Sequence, residues 1–222
     1  MKKVLITGSN GVIGSVLRKG LEQSISPYDL PEFDARNYAQ LATSAKDHDA
    51  IIHLAWETKT DNWRSGELNP ENILMAFNVY KSAIACGVRR VIMASSVHAD
   101  TYMDYKSETL VDPYALPTPD SPYGAGKCMV EALGRYYARY KDLEVICIRF
   151  GGVNSDDDSR SSLNFTDYTW LSHRDCSDLI NACLEAHNVL NSFAIIYGVS
   201  NHPKRIHDYT NPFGWQPKDG AK

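Results

Sequence analysis

Apolar positions along the chain fall into short continuous runs, and amphipathic stretches separate them. Lys2 to Thr7 is a short apolar run ending at a glycine and predicts a first strand. From Gly11 to Gln23, Val12, Ile13, Val16, Leu17 and Leu21 recur near helical spacing and predict a first helix. Ser24 to Leu30 is a weaker second strand, and Tyr38 to Lys46 a short helix. Ala50 to Ala55 (AIIHLA) predicts a third strand, and Asn69 to Cys86 a long helix closed by Gly87. Arg89 to Ser95, Glu144 to Phe150 and Phe193 to Gly198 predict three further strands; Tyr123 to Tyr140 and Arg174 to His187 predict the helices between them. Strands that are apolar throughout, alternating with helices, imply a parallel sheet covered on both faces, hence an α/β doubly wound fold. Residues 152–169 read as a polar, mobile loop, and 201–222, polar with three prolines, as a tail that wraps loosely.

Composition narrows the function classes. The net charge of −4 and the lack of any basic cluster longer than Arg89-Arg90 leave no cationic stripe for a phosphate backbone, so nucleic acid is not an expected partner. No apolar run is long enough to span a membrane, and the start is too short in apolar residues for a signal peptide. A cytoplasmic location is expected. The five cysteines (86, 128, 147, 176 and 183) have no CxxC spacing and read as small buried residues in a reducing compartment, with no zinc site.

Two short motifs bring in chemistry. The first strand runs into Gly8-Ser9-Asn10-Gly11-Val12-Ile13-Gly14. Three glycines three apart between a strand and a helix suit a dinucleotide: a tight turn, a close backbone approach to pyrophosphate, and close packing of helix on strand. The free N–H groups of the helix start then hold the phosphates. Asp29 lies 21 residues after Gly8, where an acid accepts hydrogen bonds from the adenosine ribose. It would repel a 2′-phosphate, and Leu30 follows it in place of an arginine, so NAD is expected over NADP. Asp34 and Ala35 are candidates for the adenine edge.

The second motif opens the helix at 123. Ser121 suits an N-cap and Pro122 the first helical position. Tyr123 and Lys127, four apart, share a helix face, so an ammonium can favour tyrosinate and make the phenol a general base. Bringing a phenol from about 10 toward 7 needs roughly 4 kcal/mol. One lysine does not supply that, so a buried site and the positive nicotinamide are expected to help. Gly124 and Gly126 fit if cofactor lies against that turn. The fourth strand ends in Ser95-Ser96, where a serine can hold the substrate hydroxyl.

In this order the chain resembles the short-chain dehydrogenase/reductase superfamily in its extended branch, the NAD-dependent epimerase/dehydratase family. The glycine triplet, HLA at 53–55, Asn72 within NILMAFNVY, Ser95-Ser96 and YxxxK all match, essentially along the whole chain. The resemblance implies a Rossmann-like domain over residues 1–150 that binds NAD and carries the catalytic residues. Residues 151–222 would form a small substrate-binding appendage packed on it. It also implies Ser96, Tyr123 and Lys127 as the catalytic set. Gly8, Gly11, Val12, Ile13, Gly14, Asp29, Asp34, Ala35, Leu54, Ala55, Asn72 and Lys127 would lie along the cofactor. The two long helices are those that pair in dimers of the superfamily, so a homodimer is expected.

A closer similarity is to uronate dehydrogenases, which oxidise a hexuronic acid at C1 to a lactone. It rests on Ala94 to His98, Tyr123 to Cys128, Trp170 to Ser172, Tyr197-Gly198 and Gly214 to Asp219. It implies sugar contacts at Thr58, Ser96, Val97, His98, Tyr123, Gly152 and Arg160. The family has Asn at the position of Val97 and Ser at that of Gly152, so two sugar hydrogen bonds are missing, and such losses change substrate preference. Related archaeal enzymes act on glucose 6-phosphate, so a sugar phosphate or another aldose stays open. Only about 70 residues follow the fifth strand, little room to bury a nucleotide-sugar. Two rivals remain: an epimerase or dehydratase holding NAD tightly, against which Val97-His98 stands in place of an acidic pair, and a non-catalytic NAD-sensing regulator. His98 is read either as a site residue or as a packed core histidine, and His53 as structural.

Overall fold

The computed structural model describes residues 1–100, 109–159 and 167–220. The described strands are β1 (Lys3–Thr7), β2 (Ser24–Tyr28), β3 (Ala50–His53), β4 (Arg90–Ser96), β5 (Glu144–Phe150) and β6 (Phe193–Gly198). The α-helices are α1 (Val12–Gly20), α2 (Tyr38–Ala45), α3 (Pro70–Cys86), α4 (Pro122–Lys141) and α5 (His173–Glu185). All strand pairs are parallel, in the order β2-β1-β3-β4-β5-β6. This is the expected doubly wound α/β, Rossmann-like sheet.

The side-chain period of two divides each strand between the two faces of the sheet. Leu5, Ile51, Val91, Val145 and Cys147 enter one core with Leu41 of α2, Val79 and Tyr80 of α3, and Val130 and Tyr137 of α4. Val4, Ile6, Ile52, Ile92, Ile146 and Ile148 enter the other with Leu17 of α1 and Leu179, Ile180 and Cys183 of α5. Each fully buried leucine or isoleucine here contributes about 2–5 kcal/mol by comparison with alanine.

Helix ends follow local chemistry. Asn69 accepts from the Glu71 N–H and Ser121 from the Gly124 N–H, and Pro stands at the start of both α3 and α4. Gly87 closes α3 in the left-handed region, at φ 68°. Strand order reverses between β1 and β3, and ligands of open α/β sheets sit beyond the strand carboxyl ends at such a point.

The tail corrects the sequence reading. Rather than wrapping loosely, it is pinned: Trp215 is 4% exposed and packs with the α1/α5 core. The fully buried carboxylate of Asp175 accepts from the Lys218 and Asp219 N–H groups at 2.8 and 3.0 Å. All five cysteines are free thiols, with Cys147, Cys176 and Cys183 buried. No helix among the described residues is long and apolar enough to cross a membrane.

Candidate active site

Two adjoining cavities lie along the carboxyl ends of the strands. One, of about 300 Å³, is walled by Asp29, Asp34, Ala35, Leu54, Ala55 and Glu71. The other, of about 450 Å³, is walled by Val12, Ile13, Gly14, Thr58, Ser96, Val97, His98, Tyr123, Lys127 and Gly152 among others. Gly8, Gly11, Leu54 and Trp56 border both, so the two form one groove.

The glycine turn fits a dinucleotide. Gly8 has φ +70°, and a Cβ there would meet the Ala55 nitrogen at 2.6 Å. A Cβ on Gly14 would meet the Gly8 carbonyl at 2.5 Å, so this glycine lets α1 start against the turn. A Cβ on Gly11 would have only the Gly8 carbonyl oxygen near it, at 3.4 Å. Gly11 is the N-cap of α1 with no side-chain cap, and the first turn has no acidic residue. The helix start therefore presents open N–H groups and its positive dipole end to the groove. Asp29 follows β2, and its carboxylate accepts from the Asn10 and Leu30 N–H groups at 2.7 and 2.8 Å, which fixes it beside the smaller cavity. Asp34 in the same wall is chelated by the Arg36 guanidinium, whose hydrogen bonds hold its carboxyl below the usual range. These features suit the phosphates and adenosine of NAD.

Asn72 stands apart from the other expected cofactor residues. It is fully buried behind the groove wall, where it accepts from the Glu57 N–H at 2.7 Å and donates to Asp61 at 2.8 Å. Its side chain braces the loop after β3 rather than lining either cavity. Arg160 lies outside the described residues, as does the middle of the loop expected to be mobile.

In the larger cavity, β4 ends at Ser96, which caps the turn Val97–Ala99 by accepting from the His98 N–H at 3.2 Å. Ser96 shares this cavity with Tyr123, and its hydroxyl lowers the phenol's pKa. His98 donates from Nδ1 to the Asp120 carboxylate at 2.9 Å and lies under the Trp63 ring, centroids 5.3 Å apart. Its ring is edge-on to Tyr123 at 5.7 Å. Lys127 is 3% exposed; its Nζ donates to the Ala94 carbonyl at 2.9 Å and stands 3.6 Å from the centroid of the Trp56 ring.

The electrostatics revise one expectation. Burial does not help Tyr123 ionise. It pushes the phenol up to about 12, the nearby Ser96 hydroxyl opposes the rise, and the charges of Asp61 and Asp120 add to it. Burial also lowers Lys127 to about 7, against the pull of Asp61 and Glu131. The two glycines of the α4 start have a different cause from the one expected. A Cβ on Gly124 would meet the His98 carbonyl at 2.0 Å, and one on Gly126 would meet Leu68 at 2.8 Å and Trp56 at 3.5 Å. Protein, not cofactor, fills that approach.

Sequence reasoning missed Trp56, Trp63, Asp61 and Asp120. The position of Trp56 directly after the HLA motif was the available signal for it. The other three act through neighbours that only the loop geometry brings together.

Comparison with known proteins identifies the family. The model of the NAD dependent epimerase/dehydratase family matches residues 4–167. The chain is 30% identical to a uronate dehydrogenase of Pseudomonas putida, over 99% of this chain and 85% of the relative. It is 27% identical to an L-arabinose 1-dehydrogenase (NAD(P)(+)) of Haloferax volcanii, over 100% and 98%. The crystal structure of uronate dehydrogenase from Agrobacterium tumefaciens superposes with a TM-score of 0.83 at 26% identity, covering 100% of this chain and 86% of that one. With the family match spanning most of the sheet and all of α4, this chain belongs to the NAD dependent epimerase/dehydratase family.

Proposed function

We propose that the protein oxidises a small sugar, a hexuronate or a related aldose or sugar phosphate, at its C1 hydroxyl to the lactone, with NAD as acceptor. The observation that carries this reading is the convergence of Ser96, Tyr123, Lys127 and His98 on one cavity of about 450 Å³ that continues into the dinucleotide groove. That volume is shared between the cofactor end bordered by Gly11 and Gly14 and a small substrate beside Ser96 and Tyr123.

Bound in the groove, NAD supplies the two-electron acceptor and, at its oxidised nicotinamide, a positive charge. Tyr123 Oη takes the C1 hydroxyl proton. Ser96 Oγ holds the same oxygen and, as a nearby hydroxyl, favours the tyrosinate. Lys127 adds positive charge on the same helix face and keeps N–H donors for the nicotinamide ribose. His98, fixed by Asp120 and Trp63 and edge-on to Tyr123, meets the sugar hydroxyls beside it. Val97 puts an apolar wall where the related enzymes have a polar one, which favours a sugar with fewer hydrogen-bonding demands there. Asp29 favours NAD over NADP. Thr58 and Gly152 complete the wall, and residues 151–220 contribute to it through Gly152, Val153 and Thr169 while also supplying β6 and α5 to the main body.

A homodimer through α3 and α4 is part of the same reading. Phe77 and Ile84 on α3 and Met129, Tyr136 and Tyr140 on α4 are exposed apolar side chains, and Tyr140 reaches 64%.

The deciding experiment is NADH formation on a panel of uronic acids, aldoses and sugar phosphates. Turnover on at least one is expected. No turnover on any, with NAD bound, would refute the proposal, and isomerisation of a nucleotide-sugar without net NADH would establish the epimerase reading.

A further inference from the structure

Lys127 is a buried cation in an unusual setting. It is 3% exposed, yet among the described residues no carboxylate stands within ion-pair distance of its Nζ. Its close neighbours are one carbonyl oxygen, Ala94 O at 2.9 Å, and one aromatic face, the Trp56 ring at 3.6 Å from the centroid. A buried ammonium without compensation loses its proton, so something must stabilise the charge. Charge reaches it through space from Asp61, on the loop after β3, and from Glu131, one turn along α4. His53 of β3 also faces it and is itself pushed down by the lysine's charge, after burial. The Tyr123 ring lies 5.5 Å away.

Trp56 is held where it stands. Its ring meets Tyr123 edge-on at 5.9 Å and 90°. Gly126, with no side chain, leaves room for it and for Leu68 behind the α4 start. The indole N–H has no hydrogen-bond partner among the described residues, so packing and the contact with the lysine, not a hydrogen bond, account for its placement. It also borders both cavities, at the seam between the dinucleotide groove and the substrate cavity.

We propose that Trp56 is a positioning residue whose π-face holds Lys127 as an ammonium and aims its remaining N–H donor at the seam of the groove. The donor arithmetic supports it. An ammonium has three N–H groups. One goes to Ala94 O, a second meets the indole face, and the third is left for the cofactor ribose or the Tyr123 hydroxyl. Tryptophan is the best aromatic acceptor for such a cation, and desolvation strengthens the contact. The inference rests on the reading of Lys127 as the working cation of the proposed dehydrogenase.

The test follows the Lys127 side-chain Cε signal by NMR across pH in the full chain, with Lys127→Arg as the assignment control. Wild type is compared with Trp56→Leu and Trp56→Phe. The midpoint is expected to fall by about one pH unit in Trp56→Leu and by less in Trp56→Phe, which keeps an aromatic face. The high-pH limb of kcat/KM should move down in the same order. Equal midpoints in wild type and both variants would overturn the proposal. Should Trp56→Leu fail to fold, the Phe variant and the indole itself decide. The Trp56 emission, taken as wild type minus Trp56→Phe, should follow the lysine titration and lose that pH dependence in Lys127→Met. Emission that is blind to Lys127 refutes the contact. An inactive sugar panel with a shifted lysine midpoint sinks the dehydrogenase reading alone, while an active enzyme with unmoved midpoints sinks only the role of Trp56.

Discussion

Ser95 donates its hydroxyl to Glu131 Oε1 at 2.5 Å, whereas the hydroxyl of its neighbour Ser96 accepts from the His98 N–H at 3.2 Å and shares the larger cavity with Tyr123. The alternation of a strand separates the two serines: one joins a buried network with Glu131, Arg149 and Tyr197, and the other is placed beside the proposed reacting atoms. Ser96→Ala is therefore expected to lower kcat by about a hundredfold or more with little loss of stability. Ser95→Ala should act mainly on stability, costing about 1–2 kcal/mol as Glu131 loses a buried donor. Steady-state kinetics beside urea unfolding separate the two; a larger kcat loss in Ser95→Ala would reverse the assignment.

Lys127, the working cation of the proposed function, is also a liability to the fold. Its folded pKa of about 7 lies below the unfolded value of 10.5. Between those values the unfolded chain binds a proton that the folded chain does not, so stability rises with pH across that window. The cost of the buried charge is thus full below about 7 and fades toward 10.5. Lys127→Met should abolish activity yet stabilise the cofactor-free chain by about 1–3 kcal/mol at neutral pH, a gain that shrinks as the solution becomes alkaline. Unfolding midpoints that fail to rise in the variant would show that Ala94 O and Trp56 already compensate the charge.

Acid should act through His53. Its ring accepts or donates at Nδ1 to Thr7 Oγ1 at 2.6 Å, and burial first, then the charge of Lys127, lowers its pKa from 6.5 to about 3. Since the unfolded chain takes up the proton first, the stability contributed by neutral His53 is complete above pH 6.5 and is lost as pH falls toward 3. The slope from one such group is at most about 1.4 kcal/mol per pH unit. His53→Gln is expected to flatten the acid limb of the stability curve by up to that slope, measured by denaturant titration at successive pH values. An unchanged limb would assign the acid sensitivity to His207, which burial holds similarly low at about 3.

Cofactor preference gives an independent test of the groove. The Asp29 carboxylate is held by two backbone N–H groups beside the smaller cavity, and with the adenosine proposed there a 2′-phosphate would meet its charge. NAD should bind at least about tenfold more tightly than NADP, and Asp29→Ala should narrow that ratio chiefly by weakening NAD. Binding titrations of both dinucleotides suffice, and equal affinities in the wild type would refute the role of Asp29.

What could be read from the sequence was whatever is settled within a few residues. The strand periods, the Asn69 and Ser121 caps and Gly87 are local decisions, and the sheet follows from them. The glycine triplet and YxxxK announce the groove and the helix over it for the same reason. Trp56 over Lys127 and Asp120 under His98 join residues on different loops, and no periodicity encodes such pairs. Burial, too, acts opposite to the expectation: it hinders rather than helps Tyr123 ionise, because a low-dielectric site penalises the tyrosinate.

The tail shows the same limit and gives the last prediction. Its polar residues read as solvated, yet several of them are anchors. Asp219 accepts from Ser172 Oγ at 2.6 Å and pairs with Arg174, while Ser172 in turn caps α5 by accepting from the Asp175 N–H at 3.0 Å. Asp175 accepts from Ser200 Oγ at 2.6 Å as well as from the tail backbone, and the Ser200 N–H donates to Trp170 O at 2.8 Å. Trp170 pairs with Gly152 of the cavity wall, so the tail is tied to the site through a short chain of contacts. Trp215→Ala should cost about 3–5 kcal/mol by opening a cavity against the α1/α5 core. Removing residues 212–222 should cost at least as much, because Asp175 then keeps its buried charge and loses both backbone donors. Thermal unfolding measures both losses. A truncated chain that melts with the wild type would mean that the tail lies on the body without holding it.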